Sequence, residues 1–188
     1  ELSLFLSLPA TIALLIASDE ITSSLFGYGS FDEISVKNSA NALFYFALGL
    51  PAFSFIKIFS SFLFARHNTK IPFYFSVISV IINIIISVYY FNKIGFIIIP
   101  MATTISSWLN AILLLIYLTN KKYYSINSIF LYSLIKISLS TAITSYIFYN
   151  LINFFDDNLS YNSEYKLVSI ILLVIVTFII YILTSILT

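Results

Sequence analysis

The sequence predicts an all-α integral membrane protein with six transmembrane helices. Three observations carry this reading: 60% of the 188 residues are hydrophobic, only 9% are charged, and the mean hydropathy is +1.02. A soluble domain of this size does not tolerate that balance, so the bilayer is the solvent. In hydrocarbon every backbone N–H and C=O must find its partner inside the chain, which leaves helices or closed barrels. Apolar runs of about 20 residues, long enough to cross roughly 30 Å of hydrocarbon, select helices.

The first run, Leu2 to Ser18, is apolar and is bent by Pro9. Asp19 to Phe31 alternates acidic, apolar and small residues and ends at Gly27 and Gly29. That pattern suits a short interfacial helix with a glycine stop, lying on the membrane surface. The second run, Asn38 to Phe64, is longer than a crossing needs and contains Gly49 and Pro51. It predicts a kink or break at which neighbouring helices satisfy the freed carbonyl. Ile71 to Phe91 and Ile94 to Leu118 are joined only by Asn92 and Lys93, so they are antiparallel neighbours, and Pro100 bends the second of them. Ile129 to Phe154 and Leu167 to Leu187 complete the set. The chain thus divides into a four-span unit with its interfacial helix at 19–31, residues 1–122, and a final pair of spans, residues 123–188.

Nine Lys/Arg against eight Asp/Glu give a net charge of +1, with no bias toward nucleic acid or an acidic partner. Their placement is informative. One set of loops carries Arg66, Lys70, Lys121 and Lys122 with Glu1 as its only acid. The other carries Asp19, Glu20, Asp32, Glu33, Asp156, Asp157 and Glu164, together with Lys37, Lys93 and Lys166. The short basic loops are assigned to the cytoplasm, which puts both ends of the chain there. The opening ELSLFLSLP lacks the basic region and cleavage site of a signal peptide and reads as a piece cut from something longer.

Without cysteine there is no disulfide, thiolate chemistry or cysteine-ligated metal, and His67 alone builds no histidine site. None of the carboxylates falls within a predicted span, and no GxSxG, HExxH or phosphate-cradling glycine loop occurs, which counts against an enzyme. The polar groups inside the membrane form stripes instead. Ser76, Ser79, Asn83 and Ser87 share one face of the third span, and Thr103, Ser106, Ser107 and Asn110 share one face of the fourth. Such stripes either glue helices together or line a cavity or cation site. Lys57 and Lys136 each lie about seven residues, roughly 10 Å, inside a span. They either snorkel to the headgroups or hold an anionic group in a cavity. Arg66, His67 and Lys70 form a basic cluster where the second span emerges, fitted to topology, anionic lipid or a phosphate.

Several stretches resemble one family. LPAT at Leu8 to Thr11, LFGYGSF at Leu25 to Phe31, GLPAFSFIK at Gly49 to Lys57, FARHNTKIP at Phe64 to Pro72, then Asn83 and ATTISSWLN at Ala102 to Asn110 follow one another in order. Together they resemble the lipid II flippases, the MurJ or MviN proteins of the polysaccharide and multidrug exporter superfamily. Asn68 stands where the family usually has Asp, and beyond Lys122 the likeness is one of hydropathy.

The resemblance implies the last six helices of a fourteen-helix transporter of the bacterial inner membrane. Such a transporter flips the lipid-linked peptidoglycan precursor by alternating access, and its N-terminal lobe is missing here. That lobe would be a partner alongside the lipid-linked precursor and membrane lipids. The resemblance further implies substrate or cavity roles for Lys57, Arg66 and Asn110, and a hydrophobic groove for a polyprenyl tail formed with the last two helices. No cofactor is expected other than a sodium ion at Asn83, Ser87 and Thr103. Sodium-binding members add a carboxylate, and Ser87 stands where some carry an acid. Another exporter of O-antigen units, other polysaccharides or drugs, or a non-transporting scaffold, are the alternative readings.

Overall fold

A computed structural model describes residues 2–125 and 127–187; Glu1, counted in the loop-charge argument, lies outside them. Nine α-helices occur among the described residues: α1 Leu2–Ile16, α2 Ser18–Phe26, α3 Glu33–Ala47, α4 Leu50–Ala65, α5 Lys70–Ile94, α6 Ile98–Asn120, α7 Ser128–Phe154, α8 Asp156–Leu159 and α9 Lys166–Leu187. Isoleucine-rich α5 would read as strand in water. The need to satisfy each backbone group within its own segment overrides that propensity in lipid.

Three helical stretches are long and apolar enough to cross a membrane, and up to five if each of two bent pairs counts as one. The bend between α1 and α2 is 79°, which turns α2 across the end of α1. Asp19 and Glu20 occupy the first turn of α2, where the helix dipole favours anions. Its end at Gly27 is an inverse γ-turn, with φ −71 and ψ 59 at Gly27 and the Tyr28 N–H donating to the Phe26 carbonyl at 2.7 Å. Asp32 then caps α3 by accepting the Ser35 N–H at 2.8 Å. Hydrogen bonds from the Ser35 hydroxyl and backbone hold its carboxyl below the usual carboxylate range. This cap starts α3 at Glu33, five residues before the apolar run begins.

The expected break falls between α3 and α4, which meet at 44°. Pro51 opens α4 in its first turn. The carbonyls stranded at the break are taken up by α6: Thr104 Oγ1 donates to the Tyr45 carbonyl at 2.6 Å, and Trp108 Nε1 donates to the Leu48 carbonyl at 3.0 Å. Neighbouring side chains thus replace the helix's own hydrogen bonds.

The longest apolar stretch, the 51 residues Lys70–Asn120, folds back on itself. Gly95 takes φ +79 at the corner, a conformation that glycine adopts without steric cost, and a 3₁₀ turn over Gly95–Ile97 leads into α6. Asn68 pairs with Tyr117, Ser76 with Asn110 and Asn83 with Thr103. As one partner's number rises the other's falls by nearly the same step, which defines an antiparallel hairpin.

Two helix ends on the basic side are alike. After α4, His67 takes φ 58, with His67 N–H on Phe64 O and Asn68 N–H on Leu63 O at 2.9 Å. After α6, Lys122 takes φ 56, with Lys122 N–H on Thr119 O and Tyr123 N–H on Leu118 O at 2.9 Å. Both are Schellman ends, and both set basic residues beside the negative end of a helix dipole.

Helix α6 packs against α3, α4 and α5, while α1 packs against α3, α4 and α7, and α9 packs against α7 and α2. One apolar cluster, Leu63, Leu114 and Leu118, joins α4 to α6. A second, Ala17, Phe148, Ile152, Leu159, Ile170 and Leu173, gathers the ends of α1 and α7 around α8 and α9. Along α5 only Pro72 and Ser79 are buried, so its isoleucine face is left for lipid or further protein.

Candidate functional site

Across the α5/α6 hairpin the two polar stripes meet each other. Asn83 Nδ2 donates to Thr103 Oγ1 at 3.1 Å and to Ser106 Oγ at 3.3 Å. Thr103 Oγ1 donates to the Ile99 carbonyl at 2.8 Å, and Ser107 Oγ donates to the Thr103 carbonyl at 2.7 Å. Two turns away, Asn110 Nδ2 reaches Ser76 Oγ at 3.5 Å. Interhelical amide and hydroxyl bonds of this kind hold membrane helices together. Two acceptors remain over: Ser87 Oγ and Asn110 Oδ1 are buried without a partner.

Asn83 and Thr103, two of the sodium candidates, are therefore brought together, and Ser87 lies one turn beyond Asn83 on the same face. Asn83 presents its N–H groups to Thr103 in this arrangement, so a cation would require its amide to turn its oxygen inward. Among the described residues no group of three or more His, Cys, Asp or Glu is placed to hold a metal ion.

The substrate candidates occupy different environments. Asn110 is buried in the hairpin seam at 6% exposure, whereas Lys57 and Arg66 are exposed on α4 and at its end. The Arg66 guanidinium lies 4.8 Å from the Phe62 ring centre and 4.3 Å from that of Tyr123, stacking that suits its planar, weakly hydrated cation. Lys136 is half-buried, its ammonium 4.8 Å from the Tyr132 ring centre.

A cleft of about 180 Å³ separates α1, α7 and α9, lined by Leu6 and Pro9, by Thr144 and Phe148, and by Val174 and Phe178 among others. The threonine hydroxyls along it are satisfied by their own helices: Thr141 donates to Ile137 O at 2.6 Å, Thr144 to Ser140 O at 2.8 Å and Thr177 to Leu173 O at 2.8 Å. Its walls therefore ask for an apolar occupant. Near one end the Tyr181 ring meets that of Phe5 at a tilt of 43°, centres 4.9 Å apart, and its hydroxyl donates to the Phe5 carbonyl at 2.8 Å.

The sequence reading missed Lys166, which it counted as a loop cation. This lysine is 1% exposed. Its Nζ donates to the Gly27 carbonyl at 2.6 Å and to the Tyr161 carbonyl at 2.8 Å, and lies 4.3 and 4.7 Å from the ring centres of Tyr28 and Tyr161. A buried ammonium is tolerable only with such partners. The signal for it was slight: a lysine at the edge of an apolar run, and tyrosines beside Gly27 and five residues upstream.

Comparison with known proteins gives a consistent result. A family model described as "Lipid II flippase MurJ" matches residues 1–170. The "Probable lipid II flippase MurJ" of Rhizobium meliloti (strain 1021) is 40% identical over 114 residues, 61% of this chain and 21% of that protein. The protein of the same description from Rickettsia prowazekii (strain Madrid E) is 36% identical over 121 residues, 64% of this chain and 24% of that one. That of Buchnera aphidicola subsp. Acyrthosiphon pisum (strain APS) is 31% identical over 146 residues, 76% of this chain and 28% of that one. The chain thus spans about a quarter of the length of these relatives. A solved structure titled "Lipid II flippase MurJ, inward closed conformation" shares the fold with a TM-score of 0.78 at 24% identity, covering 97% of this chain and 36% of that one.

Proposed function

The chain belongs to the lipid II flippase MurJ family, and from that premise we propose that it is one lobe of a transporter carrying a lipid-linked peptidoglycan precursor across the bacterial inner membrane. The observation that carries the proposal is the family match over residues 1–170. Counting α5 and α6 as separate crossings, and each bent pair as one, brings the total to six, equivalent to the last six helices of the family's fold. Residues 1–122 then form the cavity-lining part and 123–188 the final helix pair. The missing N-terminal lobe is the other half of an alternating-access pair.

In this reading Lys57 and Arg66 face the inter-lobe cavity, where a lysine supplies a point charge and an arginine a planar fork for phosphate oxygens. Asn110 supplies a neutral acceptor deeper in the seam. The cleft between α1, α7 and α9 takes the hydrocarbon tail. The loops at Arg66–Lys70 and Lys121–Lys122 face the cytoplasm.

The test is complementation of cells depleted of their own lipid II flippase. The 188 residues alone should fail to restore growth, and a fusion behind the remaining portion of a relative should restore it. Rescue by the short chain would overturn the half-transporter reading, and failure of a membrane-inserted fusion would overturn the flippase reading. Cysteines placed at Asp32 and Lys121 in that fusion should differ in labelling by an impermeant reagent on spheroplasts, and equal labelling would overturn the sidedness.

We also propose that Asn83, Ser87 and Thr103 form a weak sodium site. Neutral oxygens suit a hard monovalent cation, and the partnerless Ser87 hydroxyl is the observation in its favour. Bound sodium must stabilise the folded state, by about 2.7 kcal/mol at a hundredfold excess over its dissociation constant. Thermal melting of the full-length protein should rise with sodium and not with potassium, and the rise should vanish in Asn83→Leu. A potassium effect of equal size would leave these residues as helix glue.

A further inference from the structure

Helix α9 touches the rest of the protein along a single line. Its buried residues are Lys166, Ile170, Leu173, Thr177 and Tyr181, at steps of three and four, one narrow stripe of the helix. The middle of that stripe is apolar contact and a threonine bonded to its own helix, which fixes neither orientation nor separation sharply. The two ends are different. At the C-terminal end the Tyr181 hydroxyl is fastened to the Phe5 carbonyl. At the N-terminal end Lys166 reaches the carbonyl that closes α2 and lies against two tyrosine rings. Ser24 Oγ donates to the Lys166 carbonyl at 3.2 Å, so both the side chain and the backbone of this residue engage α2 and the turn that closes it. The cleft-lining residues Val174 and Phe178 lie between these two fastenings.

We propose that Lys166 is a positioning residue: its ammonium, seated among the Gly27 and Tyr161 carbonyls and the Tyr28 and Tyr161 rings, pins the N-terminal end of α9 to α2 and so sets the width of the cleft between α1, α7 and α9. Tyr181 is the opposite pivot. With the ammonium withdrawn, α9 swings about Tyr181, and the separation from α7 and α1 changes most at the Lys166 end. The bearing of this on transport rests on the reading of the cleft as the seat of the hydrocarbon tail; the pinning itself does not.

The experiment uses the full-length protein in lipid nanodiscs on a cysteine-free background, with nitroxide pairs at exposed positions and distances read by pulsed electron resonance. One pair, Leu25→Cys with Val168→Cys, spans the Lys166 end. The other, Leu2→Cys with Leu183→Cys, spans the Tyr181 end. Lys166→Met should broaden and lengthen the first distribution by several ångströms and leave the second unchanged. Tyr28→Leu, which keeps the lysine and removes one ring, should loosen the first pair partially, and it supplies the measurement should Lys166→Met not be recovered folded. An unchanged first pair, or equal change in both, would overturn the proposal. Flipping measured on the same samples separates the two readings. Loosening with unaltered flipping would overturn the link to the cleft, while an unpinned α9 in a wild-type protein that does not flip lipid II would count against both.

Discussion

Gly27→Ala should lower the stability of the full-length protein by about 1–3 kcal/mol, the usual cost of forcing an extra methyl into a packed site. The backbone is not the obstacle, since φ −71 and ψ 59 are open to alanine. Space is. A Cβ at this position would lie 2.6 Å from the Ser23 carbonyl oxygen, 3.1 Å from the Tyr161 ring and 3.2 Å from the Lys166 ammonium. The nearest of these is backbone at the end of α2 and has nowhere to go without unwinding the last turn. Gly95 makes the contrast: nothing lies within 4 Å of its would-be Cβ, so alanine there pays for conformation alone, about 1–3 kcal/mol, because φ +79 and ψ −156 lie in a region kept almost wholly for glycine. Thermal melting of both variants in detergent is the measurement, and a Gly27→Ala loss below about 1 kcal/mol would show that the seat around Lys166 is loose.

The break between α3 and α4 and the seat of Lys166 show what the sequence could reveal. Gly49 and Pro51 announced the break between α3 and α4 because both act on their own backbone, and spacing by threes and fours announced the polar stripes because helical geometry is local. The donors that repair the break, Thr104 and Trp108, sit about sixty residues away, and no local pattern marks them. Element ends shifted for a related reason. Hydropathy detects apolar interiors and ignores caps, so it began the second span at Asn38 whereas the Asp32 cap begins α3 at Glu33. Lys166 is the extreme case. Its carbonyl partner on Gly27 is 139 residues distant, and a lysine flanking an apolar run looks the same whether it faces water or is buried among tyrosines. The cleft was hidden likewise, being made by α1 against α7 and α9, elements from opposite ends of the chain.

On the proposed transport function, Lys57→Met in the full-length protein should reduce flipping by about tenfold or more with little change in expression, whereas Lys136→Met should stay within about twofold. Tenfold corresponds to about 1.4 kcal/mol, at the lower end of what a hydrogen bond to a charged group contributes. Methionine keeps most of the stem's volume and removes the charge. The two lysines sit at similar depths, so depth alone predicts equal behaviour; their surroundings differ. Lys57 is exposed on α4 and has no hydrogen bond, ion pair or ring contact among the described residues, so removing its charge breaks nothing in this lobe. Any loss of transport must then come from what the charge meets beyond it. Lys136 already rests on the Tyr132 ring in a hollow that Ser133 and Ser185 also line, so its charge has a partner within its own helix. Flipping rates for the two variants, normalised to the amount of folded protein in the membrane, decide the matter. Equal effects would mean that both lysines only snorkel to the headgroups, and would remove Lys57 from the substrate path.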